Sequence, residues 1–113
     1  MNAIYQANVI YSSLFSFVNF RTVPWIYDVQ FMSISWVDGD GNLGGHAVCL
    51  ISWSNGTYSA LDYGMPWAAK LTPTDVAQQV VNVYSKGLGT PLCYARYDVK
   101  LRMHELRWLR DRV

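Results

Sequence analysis

The stretch GGHAVCLISWSNGTYSALDYG, from Gly44 to Gly64, carries the clearest structural signal in the sequence. Residues that favour strands fill both of its halves. Between the halves stands Asn55-Gly56, a dipeptide typical of a tight hairpin turn. The sequence therefore predicts two antiparallel strands, 46–53 and 57–63.

The length of the hairpin loop decides whether His46 and Asp62 meet. With a two-residue loop, Asn55-Gly56, side-chain alternation places His46 and Asp62 on opposite faces of the sheet. With a three-residue loop, Ser54–Gly56, Val48 pairs with Asp62 and His46 becomes a diagonal neighbour on the same face, roughly 7–8 Å away. The Asn-Gly dipeptide alone favours the shorter loop.

The segments before the hairpin show two different periodicities. Apolar residues at helical spacing predict an amphipathic helix over 2–20. Alternation of Met32, Ile34 and Trp36 with serines predicts a strand over 28–37. Together with the hairpin, this strand predicts a three-stranded antiparallel meander.

The last third of the sequence predicts a helix, a strand and a second helix. LTPTDVAQQVVNVYSKG, residues 71–87, has Thr72 or Thr74 as a cap and Gly87 as a stop signal. PLCYARYDV, residues 91–99, predicts a fourth strand. KLRMHELRWLRDRV, residues 100–113, predicts a C-terminal helix with positive charge at its favourable end.

The order of these elements predicts one α+β domain spanning residues 1–113, with an N-terminal helix, the meander, a helix, a further strand and a C-terminal helix. Hydrophobic residues make up 51% of the chain and charged residues 15%, so a core is expected. The net charge of +1 disfavours nucleic acid as a partner. Two cysteines do not make a disulfide scaffold, and neither a basic secretory leader nor a bilayer-spanning segment is recognisable. Synthesis in a cytoplasm is the expectation.

No metal or cofactor is expected. Asp38, Asp40 and Asn42 imitate the start of a calcium loop, but Leu43 stands where that loop needs glycine. His104 has no ligand partner at a reliable spacing and is predicted to be a surface histidine.

The hairpin resembles the histidine–aspartate half of papain-like cysteine peptidases, and more narrowly that of transglutaminase-like and bacteriocin-processing peptidases. The matching residues are Gly45, His46, Ala47, Val48, Gly56, Tyr58, Leu61 and Asp62. The resemblance implies a papain- or transglutaminase-like fold in which His46 pairs with a cysteine nucleophile and Asp62 orients the imidazole. It also favours the three-residue loop, so we predict that His46 and Asp62 share a face.

The nucleophile that the resemblance implies is missing. In that family the cysteine precedes the histidine and opens the first helix, a place that corresponds here to Asn2 and Ala3. Cys49 lies three positions after His46 on the same strand, so it is predicted to point to the other face. Cys93 lies on a later strand, and its distance from His46 does not follow from the sequence.

Three functional hypotheses follow. The first is a catalytically degenerate cysteine-peptidase-like domain, leaning away from an enzyme, that binds other protein subunits in a larger assembly such as a phage virion. The alternative is an active cysteine peptidase or amidase in which His46 and Asp62 use a cysteine from another chain or from an upstream segment. The third, nucleic-acid binding through the basic C-terminal end, is disfavoured by the near-neutral total charge.

Overall fold

The computed structural model of the protein describes residues 26–62 and 65–109. These residues form six strands and one helix. In chain order they are β1 (Ile26–Val37), β2 (Leu43–Trp53), β3 (Tyr58–Asp62), β4 (Met65–Pro66), α1 (Pro73–Tyr84), β5 (Thr90–Tyr97) and β6 (Met103–Trp108).

The six strands form one sheet in the order β4-β3-β2-β1-β5-β6, and every neighbouring pair is antiparallel. The predicted meander is confirmed as β1, β2 and β3. The predicted fourth strand is confirmed as β5, which pairs with the other edge of β1. The long strand β1 therefore lies inside the sheet and carries pairing partners on both sides.

The helix α1 covers one face of the sheet. Thr72 is its N-cap, and the Thr72 side chain accepts a hydrogen bond of 3.1 Å from the backbone N–H of Asp75. Pro73 suits the first turn, where its missing N–H costs nothing. Past the end of the helix, Gly87 has a φ of 79° and donates its N–H to the carbonyl of Asn82.

Two apolar clusters lie on the two faces of the sheet. The face under α1, called here the helix face, carries Met32, Ile34, Trp36, Val48, Leu50, Ala60 and Tyr94 against the buried side of the helix, Val76, Ala77, Val80 and Val81. The opposite face carries Val29, Phe31, Cys49, Ile51 and Leu61. Alternation along β1 and β2 separates the two sets.

The expected α+β class with a papain- or transglutaminase-like architecture is wrong, because the described residues form an antiparallel sheet with a single helix. The predicted C-terminal helix over 100–113 is wrong for its described residues, 100–109, which form a turn and β6 (Met103–Trp108). Asp98 accepts hydrogen bonds from the N–H groups of Lys100 and Arg102, and the resulting turn sends the chain back along β5. Arg96 on β5 and Glu105 on β6 then pair at 2.9 Å.

Such cross-strand contacts outweigh the helical preference of a short basic segment, since packing supplies most of the stability of a helix in proteins. The helix predicted over 2–20 lies outside the described residues. Within the described ranges, no helix is long and apolar enough to cross a bilayer.

Candidate functional site

Trp53 and Thr57 close the hairpin between β2 and β3, so its loop has three residues, 54–56, and this length sets the register. Trp53 donates its N–H to the carbonyl of Thr57 at 2.9 Å, and Gly56 adopts a φ of 87°. The Asn55 side chain accepts from both the N–H and the hydroxyl of Thr57, at 3.0 and 2.6 Å. These local bonds favour the longer loop over the two-residue turn that the Asn-Gly dipeptide prefers.

The register places His46 and Asp62 on the helix face, as predicted. Leu50 pairs with Ala60, so continuation of the ladder brings Val48 opposite Asp62. The Nε2 atom of His46 lies 3.8 Å from Oδ2 of Asp62. Their proximity is confirmed, and their catalytic role stays a prediction.

The side chain of Asp62 is buried. It is only 5% exposed, whereas that of His46 is 28% exposed. The Nε2 atom of His46 is itself buried, so the accessible surface belongs to other atoms of that side chain. The imidazole thus turns one nitrogen toward a sheltered carboxylate while part of the side chain remains open to a ligand.

Tyr84, the last residue of α1, completes the cluster. Its hydroxyl donates a hydrogen bond to Oδ2 of Asp62, and its ring lies 3.9 Å from the imidazole, centroid to centroid, with 32° between the planes. Trp67 packs on the same tyrosine, with ring centroids 6.2 Å apart. No local signal in the sequence linked Tyr84 to Asp62.

Neither cysteine of the chain shares the helix face with His46. Cys49 belongs to the apolar cluster of the opposite face. Burial, together with the negative charge of Asp62, raises the pKa of Cys49 to about 11, which keeps the thiol protonated. Cys93 pairs with Ser35 and precedes the core residue Tyr94, so it also points to the opposite face.

A second histidine–aspartate pair lies on the surface at the turn between β5 and β6. The Nε2 atom of His104 is 3.1 Å from Oδ2 of Asp98, and the His104 side chain is 49% exposed. Asp98 also accepts from Lys100 and Arg102, and these hydrogen bonds hold the pKa of its carboxyl well below the usual range. The pair is a turn-closing contact, and the predicted surface position of His104 is confirmed.

A close approach between Gly44 and Trp36 supports the start of β2. The indole of Trp36, on β1, lies so near Gly44 that any side chain there would overlap it. This contact explains the need for glycine at position 44. Gly44 precedes His46 by two positions and lies on the same face of β2.

The described residues contain no group of three or more histidine, cysteine, aspartate or glutamate side chains suited to a metal ion. Among them, the chemistry of the site is therefore that of an imidazole, a carboxylate and a phenol. In comparisons with known proteins, no family model, no curated protein and no solved structure matches this chain.

Proposed function

We propose that this chain provides the histidine–aspartate half of a cysteine-type hydrolase or acyltransferase site, whose thiol comes from another chain or from an upstream segment. The observation that carries the proposal is the contact of 3.8 Å between His46 Nε2 and the buried carboxylate of Asp62. A sheltered carboxylate beside one nitrogen orients an imidazole so that its other nitrogen works as a base.

The reaction follows from this orientation. The Nδ1 atom of His46 takes the proton of an incoming thiol, and the thiolate attacks the carbonyl carbon of an ester or amide. Asp62 stabilises the imidazolium that results. The imidazolium returns its proton to the leaving group as the bond to that group breaks, and a thioester remains for water or an amine to cleave.

The geometry of the sheet opposes the use of either cysteine of this sequence as the nucleophile. Cys49 and Cys93 both face away from His46, and a slip of one residue in a paired strand would disrupt its whole ladder. The raised pKa of Cys49, about 11, further opposes thiolate formation there.

The second candidate function is a catalytically degenerate domain that binds other subunits in a larger assembly, such as a phage virion. The observation that favours it is the exposure of apolar side chains on β6, where Met103 is 54% and Leu106 53% exposed. Exposed apolar patches often mark protein–protein contacts. On this candidate, His46 and Asp62 serve only to pack the sheet against Tyr84.

Rescue by a small thiol separates the two candidates. A variant that lacks both cysteines is mixed with 4-nitrophenyl acetate and 2-mercaptoethanol, and acetyl transfer to the added thiol is measured. His46→Ala and Asp62→Asn are compared with His104→Ala, which removes a histidine of the surface pair.

If His46 is a general base, it accelerates acetyl transfer to the added thiol by about tenfold or more. This is less than the acceleration of about 10²–10⁴-fold by a fully positioned base, because the added thiol diffuses freely. His46→Ala abolishes this acceleration, Asp62→Asn reduces it, and His104→Ala leaves it intact. Equal rates for His46→Ala and His104→Ala would refute the proposal and favour the degenerate domain.

A further inference from the structure

We propose that Tyr84 is a positioning residue that keeps Asp62 from forming a hydrogen bond with His46 until the imidazole becomes charged. This inference rests on the function proposed above. Its basis is that the Tyr84 hydroxyl and the His46 Nε2 atom address the same carboxylate oxygen, Oδ2 of Asp62.

The tyrosine holds that oxygen in the structure, and the histidine does not. Tyr84 donates a hydrogen bond to Oδ2, whereas His46 Nε2 is 3.8 Å away. An N–H···O hydrogen bond spans about 2.7–3.2 Å, so the imidazole stops roughly 0.6–1.1 Å short. Within the described residues, the buried Nε2 atom consequently has no hydrogen-bond partner.

The negative charge of Asp62 determines which tautomer the neutral imidazole of His46 adopts. A lone pair on Nε2 would point at a carboxylate and be repelled, so the neutral imidazole carries its proton on Nε2 and keeps Nδ1 as the base. When Nδ1 takes a proton, Nε2–H becomes a charged donor, and hydrogen bonds of charged donors are about twice as strong as neutral ones. The contact with Asp62 then closes.

This arrangement makes the contact between His46 and Asp62 stronger in the transition state than in the resting enzyme. An interaction that strengthens only as charge develops favours the transition state over the resting enzyme. Tyr84 supplies that difference by occupying Oδ2 in the resting state. Its ring, tilted against the imidazole with the centroids 3.9 Å apart, also restricts the path along which the imidazole moves.

Few groups compete with this arrangement. Among the described residues, the polar groups that face the imidazole are Asp62 from β3 and Tyr84 from α1. The partner of His46 on β1 is the uncharged Ile34, and Cys49 on β2 points to the opposite face.

The experiment is an NMR measurement on protein with ¹⁵N-labelled histidine, which reports on the Nε2–H proton of His46 whether or not the protein is an enzyme. Tyr84→Phe keeps the ring and removes the hydroxyl. Tyr94→Phe is the matched control, because the Tyr94 hydroxyl lies on the same face, 3.3 Å from Thr74.

In the wild type and in Tyr94→Phe, we expect the Nε2–H proton of His46 at the chemical shift of an imidazole N–H that makes no hydrogen bond. In Tyr84→Phe, we expect it to shift downfield and to exchange about tenfold more slowly or more, as hydrogen bonding to Asp62 requires. Equal spectra in the two variants would overturn the proposal. A downfield shift of the Nε2–H proton in the wild type, typical of a hydrogen bond to a carboxylate, would also overturn it, and this measurement does not depend on the folding of a variant.

The two proposals fail separately. If thiol rescue fails while Tyr84→Phe protects the Nε2–H proton, the control by Tyr84 stands and the hydrolase half-site falls. If rescue succeeds while the spectra stay equal, the half-site stands and Tyr84 contributes only packing.

Discussion

Replacement of Gly44 by alanine should destabilise the protein by forcing a side chain into the indole of Trp36. A Cβ atom at position 44 would overlap the indole Nε1 and lie 2.8 Å from Cζ2. Carbon atoms pack best at about 3.5–4.0 Å, so this contact is roughly 0.7–1.2 Å too short.

The indole has little room to retreat. Gly89 approaches the neighbouring ring atom so closely that a Cβ there would lie 2.7 Å from Cδ1, and Trp36 is only 8% exposed. Overpacking of this kind costs about 1–3 kcal/mol. Alanine recovers about 0.4–1 kcal/mol by restricting the unfolded chain, so the net loss for Gly44→Ala lies between about 0 and about 2.6 kcal/mol, with a centre of about 1 kcal/mol.

Gly45→Ala is the matched control. Its added Cβ would meet only the carbonyl oxygen of Ile34, at an ordinary contact of 3.6 Å, so the free energy of unfolding should stay constant or rise by up to about 1 kcal/mol. Urea unfolding followed by circular dichroism measures both variants against the wild type. If Gly44→Ala proves as stable as Gly45→Ala with an unchanged m value, the packing of Trp36 against β2 is not as described.

Other predictions concern the cysteines, the helix cap and the surface turn. At pH 8, a thiol reagent should modify Cys93 well before Cys49, whose pKa is about 11, and mass spectrometry of the labelled protein would show the reverse order if burial of Cys49 is wrong. Thr72→Ala should cost about 1 kcal/mol in thermal or urea unfolding, whereas Thr72→Ser should cost little because its hydroxyl still caps the helix. The pKa of Asp98 in the folded state lies below its ordinary value of 3.8. Its contribution to the free energy of unfolding is therefore fully present above pH 3.8 and is lost as the pH falls through the folded-state pKa. Asp98→Asn should therefore flatten the decline of stability in acid, and an unchanged acid profile would contradict the turn contacts.

The sequence alone specified the elements whose signals are local. Strand alternation and Asn55-Gly56 predicted the hairpin, and the caps around residues 71–87 predicted α1. The same local signals failed after residue 100. There β6 is selected by contacts with β5, such as that between Arg96 and Glu105, which no periodicity within the segment reveals.

The candidate site, like the fold, could be predicted only in part from the sequence. The resemblance pointed to His46 and Asp62, but the turn dipeptide alone favoured the register that separates them. The side chain of Asn55 decided otherwise by bonding to Thr57, a preference too small to read from residue types.

By itself, the sequence determined that a histidine strand and an aspartate strand form one hairpin, and that the chain's two cysteines are not placed as the resemblance implies. Only the tertiary structure decided that both cysteines face away from His46 and that Tyr84, 22 residues after Asp62, closes over its carboxylate. The reason is physical: a hairpin and its turn depend on neighbours in the chain, whereas a helix meets a sheet through packing of side chains that are distant in sequence.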